Sequence, residues 1–160
     1  LYANISYNTS TKGMINMKIS TKGRYALRLL IDLAQHKNSG FVALKDIAER
    51  QEISKKYLEQ IVPLLNKSGF LRTNRGYQGG YMLAKEPNKY TVGEILRVTE
   101  GSLAPISCLD YEHNDCPRAE GCITIGVWRG LYKVITDYLD NITIQDILDQ
   151  KADVWSDYSI

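Results

Sequence analysis

The chain has no uncharged apolar run near the roughly 20 residues that a membrane-spanning helix needs, which argues against a transmembrane protein. Residues 1–16 lack the apolar core of a secretory signal and the arginine-rich pattern of a transit peptide, so a cytoplasmic location is expected. Histidine is scarce, with two residues in 160, and no nucleophile–base pair stands out. No glycine precedes the Lys-Ser/Thr of a phosphate-binding loop. An enzyme is therefore not expected. Repeats and low-complexity segments are absent too.

What remains is ordinary for a folded domain, with 44% hydrophobic and 24% charged residues. That balance excludes a disordered chain, a collagen-like chain and a disulfide-dense miniprotein. The net charge of +2 hides an asymmetry. Residues 17–89 carry fourteen Lys and Arg against six Asp and Glu, whereas residues 90–160 carry five against twelve. A basic front suits a polyanion such as nucleic acid, and an acidic back suggests a second task.

The apolar spacing predicts the elements. Ala26, Leu29, Leu30 and Leu33 recur with helical period after Ser20, a suitable cap, in a helix ending near His36. A short helix follows over Leu44 to Gln51, with Leu44, Ile47 and Ala48 inward. Ser54 caps a third, Lys55 to Lys67, buried through Leu58, Ile61, Val62 and Leu65 and kinked at Pro63. Phe70 to Asn74 and Tyr81 to Ala84 read as strands around a glycine-rich turn. Thr91 and Glu94 form a capping box for a helix to Glu100. Gly101 to Gly121 reads as a loop, with the cysteines clustered at it. A long helix then spans Thr124 to Asn141, and Thr143 caps a short one to Gln150.

Helix, helix, helix, hairpin is the winged helix-turn-helix order, in a mainly α fold with a small β-hairpin wing. A helix fits the major groove, so the outward face of the third helix is the candidate reader: Lys55, Lys56, Glu59 and Gln60. Gln60 suits adenine, and Glu59 can accept from cytosine, which adds selectivity more than affinity. In the wing, Arg72 and Arg75 flank glycines 76, 79 and 80, and Arg75 suits a narrow minor groove. Lys18, Lys22 and Arg24 at the start of the first helix would anchor the phosphate backbone.

At these motifs the chain resembles the IscR/NsrR/CymR family of bacterial transcription regulators. Met17 to Ala26 is similar to the family's opening. Tyr57-Leu58-Glu59-Gln60 and Arg75-Gly76-Tyr77-Gln78-Gly79-Gly80-Tyr81 are similar to its recognition-helix and wing motifs, and Trp128-Arg129 and Asn141-Ile142-Thr143 to its later ones. The resemblance covers Met17 to about Asp149. It implies a homodimer on a palindromic double-stranded DNA operator, and a repressor is the expected role. It adds Ser20, Tyr57, Gly76, Tyr77 and Gln78 to the DNA-contact set.

Cys108, Cys116 and Cys122 are the only cysteines. A reducing compartment disfavours structural disulfides, and an odd count leaves one thiol unpaired. Thiolates select iron–sulfur clusters or zinc, but the gaps fit neither an ordinary zinc site nor a ferredoxin, and redox-active or vestigial thiols are the further alternative. The resemblance implies a 2Fe-2S cluster on these three, with a fourth ligand that varies. One branch has a histidine three residues after the third cysteine, where this chain has Ile125. Another uses an aspartate of the first helix, where this chain has Arg24. His113 is the local substitute, and Asp110, Glu112 and Asp115 are carboxylate alternatives.

On the long helix Trp128, Leu131, Ile135 and Tyr138 share a stripe, with Val134 and Leu139 beside it. A dimer contact is expected there; packing within the chain is the alternative. The expected division is a flexible extension (1–16), a winged DNA-binding domain (17–89), a connecting helix and cysteine loop (90–123), a dimerisation and terminal helix (124–150) and a tail (151–160). A second function stays open: a CymR-like regulator of cysteine metabolism, lacking a cluster and acting through a cysteine-synthase partner.

Overall fold

The structure is a computed structural model that describes residues 18–76, 79–110, 116–118 and 120–149. The extension, the tail, Tyr77, Gln78, Glu112, His113 and Asp115 lie outside the described residues. The elements follow in the order α1 (Thr21–Gln35), α2 (Leu44–Gln51), α3 (Lys55–Lys67), β1 (Leu71–Asn74), β2 (Gly80–Leu83), α4 (Val92–Glu100), α5 (Ile125–Asp140) and α6 (Ile144–Asp149). The two strands pair antiparallel, with Leu71 opposite Leu83 and Asn74 opposite Gly80. The fold is thus mainly helical with one hairpin, as the spacing predicts.

Local chemistry accounts for the ends. Ser20 Oγ accepts from the amides of Lys22 and Gly23 at the start of α1. Ser54 does the same for Tyr57 in α3, and Thr91 with Glu94 closes the reciprocal box at α4. α3 continues as one helix through Pro63, whose side lies exposed, so water can satisfy the carbonyl that proline leaves without a donor. β1 starts one residue later than expected, and β2 lies one residue earlier. Phe70 is buried, with its amide on Leu65 of α3, and its carbonyl accepts from Ala84.

α1 is the hub, packing against α2, α3, α4, α6 and β2. Ala26, Leu29, Leu30 and Leu33 meet Ile47 of α2 and Leu58, Ile61 and Leu65 of α3 in one core. Ala48, expected inward, only flanks that core, half-buried. Tyr90, Ile95 of α4 and Ile144 of α6 complete the same cluster. The buried Tyr90 hydroxyl donates to the Phe70 carbonyl and accepts from the Lys85 amide, both at 2.8 Å, fastening the hairpin's base to α4. Burial pushes that phenol above its usual pKa, more than the Lys85 and Ala84 backbone bonds lower it.

One charge sits in this core. Asp32 of α1 is 1% exposed and takes both donors of Arg50, at 3.0 and 2.6 Å, and the Gln51 amide at 3.0 Å. Burial raises its pKa, but the hydrogen bonds from Arg50 and Gln51 and the charges of Arg50 and His36 outweigh that and hold the carboxyl below its ordinary value. Replacing Asp32 by Ala strands the Arg50 guanidinium and is expected to cost about 2–3 kcal/mol, read by urea unfolding. Because the folded carboxyl releases its proton more readily than the unfolded one, this stabilisation is present above about pH 5 and fades as pH falls below about 4. In Asp32→Asn that acid loss should shrink; an unchanged pH profile would refute the assignment.

Candidate nucleic-acid interface and cysteine segment

One side of α3, through Lys55, Glu59 and Asn66, faces the hairpin across a groove. Lys55, Lys56, Glu59 and Gln60 are exposed on α3. Lys55 pairs with Glu59 at 3.5 Å, which offsets the carboxylate's repulsion of any approaching anion. Tyr57 is half-buried, its ring edge-on to Tyr25 at 5.4 Å between centroids. Between α2, α3 and the hairpin runs an open groove of about 650 Å³ whose wall includes Lys45, Lys55, Glu59, Asn66 and Arg75. Two expected readers, Lys55 and Glu59, and one wing residue, Arg75, therefore share one depression. Lys45 and Asn66 were missed by the sequence reading. Lys45 carried a signal, as an exposed cation of α2; Asn66 carried none, and is tied to the hairpin by Thr73 Oγ1 at 3.2 Å.

Arg72, Arg75 and Gly76 are exposed in the wing, and Gly76 has φ of +129°, a conformation that favours glycine. The hairpin is held by a second attachment: Val42 and Tyr81 exchange backbone hydrogen bonds, each 2.9 Å. At the start of α1, Lys18 and Arg24 are exposed while Ser20 and Lys22 are half-buried. Arg24 donates to Thr21 Oγ1 at 3.1 Å.

The cysteine segment lies between α4 and α5. Cys108 sits in a short 3-10 turn (Ser107–Leu109), and all three thiols are half-buried. Burial first, then the charge and hydrogen bonding of Cys116, raise the Cys108 thiol pKa, and Cys122 adds to the rise. Hydrogen bonding by the Thr124 side chain, whose Oγ1 is 3.5 Å away, and then by its backbone lowers that of Cys122. Cys108 is thus within electrostatic reach of both other thiols. Among the described residues, no group of three or more His, Cys, Asp or Glu is close enough to hold a metal ion. The donor set itself, three soft thiols, fits iron–sulfur chemistry.

α5 has no buried residue. Its inner side, through Tyr132 and Leu139, packs on Val92 and Leu96 of α4 and on Leu103. Leu139 thus turns inward, away from the stripe beside which the periodicity places it. Trp128, Leu131 and Tyr138 of that stripe are exposed, Tyr138 by 67%, and Ile135 is half-buried. Val127 and Val134 widen the uncovered face. No helix of the described residues is long and apolar enough to cross a membrane.

A three-helix core with an attached hairpin, a cation-lined groove beside its third helix and an appended amphipathic helix defines a winged helix-turn-helix regulator. The model of the Rrf2 family, described as iron-dependent transcriptional regulators, matches residues 19–150. The chain belongs to that family. It is 39% identical over 135 residues to the HTH-type transcriptional regulator IscR of Pectobacterium atrosepticum, a match covering 84% of this chain and 81% of that one. Protein rrf2 of Nitratidesulfovibrio vulgaris is 38% identical over 132 residues, 82% of this chain and 87% of the other. Among solved structures, T. potens IscR superposes with a TM-score of 0.66 at 42% identity, covering 88% of this chain and 96% of that chain. CymR, the global cysteine regulator of B. subtilis, gives 0.69 at 36% identity, covering 84% and 98%.

Gly80 offers a test of how the wing is carried. A Cβ there would lie 2.5 Å from the Val42 carbonyl oxygen, a backbone atom that cannot swing aside. Gly80→Ala is expected to break the Val42–Tyr81 attachment and cost about 1–3 kcal/mol, lowering the thermal midpoint by several degrees. An unshifted midpoint would mean that the hairpin is not held there.

Proposed function

We propose that the chain is a homodimeric, DNA-binding transcription regulator, acting as a repressor, that senses iron–sulfur or redox status through Cys108, Cys116 and Cys122. The observation that carries the sensing is that all three cysteines lie half-buried on one segment between α4 and α5, with Cys108 in reach of the other two. These cysteines would hold a 2Fe-2S cluster, with His113 as the fourth ligand. When bound, such a cluster supplies a redox-active centre sensitive to oxidants and to loss of iron. The protein's own part would be to offer three soft donors from one segment, where hydrogen bonding by Thr124 lowers the Cys122 thiol pKa.

In the DNA complex, α3 would enter the major groove with Lys55, Lys56, Tyr57, Glu59 and Gln60 toward the duplex. The wing, through Arg72, Arg75, Gly76, Tyr77 and Gln78, would take the neighbouring minor groove, and Lys18, Ser20, Lys22 and Arg24 the phosphates. Two copies joined along the Trp128, Leu131, Ile135 and Tyr138 face would place these modules on the half-sites of a palindrome. Residues 17–89 carry the DNA contacts, 90–123 the connection and thiols, and 124–150 the dimer contact.

The deciding experiment is an absorption spectrum of protein purified without oxygen, with iron and sulfide counted per chain. Visible bands with about two irons and two sulfides per chain are expected. A colourless, iron-free protein even after anaerobic reconstitution would overturn the cluster and favour a CymR-like regulator working through a cysteine-synthase partner. On DNA, Lys22→Ala should weaken binding to all sequences alike, and Arg75→Ala should weaken A·T-rich flanks most, both read by anisotropy titration. A Lys22→Ala variant altered at one base position only would contradict this division of labour.

A further inference from the structure

The amino end of α1 is held from a distance of eighty residues. Ser20 donates to Glu100 Oε1 through its backbone amide at 3.3 Å and its hydroxyl at 2.8 Å. The same hydroxyl oxygen caps α1 by accepting from Lys22 and Gly23. Glu100 is the last residue of α4, and Gly101 after it, with φ of +84°, turns the chain toward Cys108. Among the described residues Glu100 forms no ion pair: its partners are the two Ser20 donors.

Gly23 makes this contact possible. A Cβ there would collide with the Glu100 carboxylate oxygen and would stand 3.0 Å from Leu96 Cδ2 and 3.2 Å from Thr99 Oγ1. α1 and the last turn of α4 are therefore in close approach at the point where Lys22 and Arg24 flank the glycine. A carboxylate is also the favourable sign at a helix amino end. Set among cations offered to phosphates, though, it lowers the local positive potential. Its retention there is explained by what it holds, the cap whose backbone carries Lys18, Lys22 and Arg24.

We propose that Glu100 is a positioning residue for DNA binding, which fixes the Ser20 cap and thereby the cationic amino end of α1. The inference rests on the DNA-binding reading above. It makes the residue that launches the cysteine segment the same residue that sets the phosphate-contacting end of α1.

The test measures affinity for a mixed-sequence duplex about three helical turns long, by anisotropy, between about 50 and 200 mM salt. Glu100→Ala is expected to bind about tenfold more weakly, with a salt slope shallower by about one. Gly23→Ala, which displaces the carboxylate while raising helix propensity, should do the same. Glu100→Gln keeps an acceptor for Ser20 and should recover the wild-type slope. A purely structural role would lower the thermal midpoint and leave the slope of the folded protein unchanged. A wild-type slope in both Glu100→Ala and Gly23→Ala, with Lys22→Ala still impaired, overturns the role of Glu100 alone. Equal damage in Glu100→Gln and Glu100→Ala overturns it as well, since charge and not position would then be at work. Absence of salt-dependent binding in the wild type sinks this inference together with the DNA-binding reading.

Discussion

Asp32 is the one charged side chain buried among the described residues, and it draws Arg50 and Gln51 at the end of α2 onto α1. At the next residue the chain must reverse into α3. Glu52 makes that turn at φ of +53°, the one described non-glycine residue in the left-handed region. Its amide stays on the last turn of α2 and Ile53 is buried beneath it. Arg28 of α1 reaches the same corner, on the Gln51 side chain and carbonyl. The angle between α2 and α3 thus depends on a carboxylate that neither helix owns. Loss of it would loosen the turn first and the apolar core only afterwards.

α4 works as a splint on the other side of α1. One end meets α1 at Gly23. The other region holds α5, where Arg97 grips Asp140 with two bonds of 2.7 Å and Gly93 leaves no room for a side chain beside that carboxylate. Both contacts need a glycine because a backbone must come within a carboxylate's reach of a neighbouring helix. Leu103, one turn past α4, sits in the cluster that also takes Leu27 of α1 and Tyr132 of α5. The cysteine segment, α1 and α5 consequently share one packed neighbourhood, with α4 through its centre.

Much of this was legible in the sequence. The stripes of α1 and α3 became their buried faces because a helix of period 3.6 leaves few ways to hide four apolar residues. The caps Ser20, Ser54 and Thr91 act locally, so local residues reveal them. Asp32 was not legible: its charge reads as surface until Arg50, eighteen positions on, is folded against it. Gly23 looked like part of a motif and not like a contact, since Glu100 lies far along the chain. Leu139 was misplaced because the long helix has apolar residues on two sides, and periodicity alone does not say which side the core takes. Of the candidate ligands, Cys108 lies within electrostatic reach of Cys116 and Cys122, while His113 lies outside the described residues.

The bridge between Thr91 and Thr143, with Val92 donating to the Ile142 carbonyl at 2.8 Å and Ile144 to that of Tyr90 at 3.0 Å, returns the end of the chain to its middle. Ile144 is fully buried among residues of the amino-terminal helices. During synthesis, then, α1 to α4 leave the ribosome with a hole where Ile144 belongs, and the core closes only after α5 has been made. A nascent chain stalled before α6 carries every expected DNA contact on an unfinished core. Completion of the amino-terminal core is tied in this way to synthesis of the segment that carries the thiols.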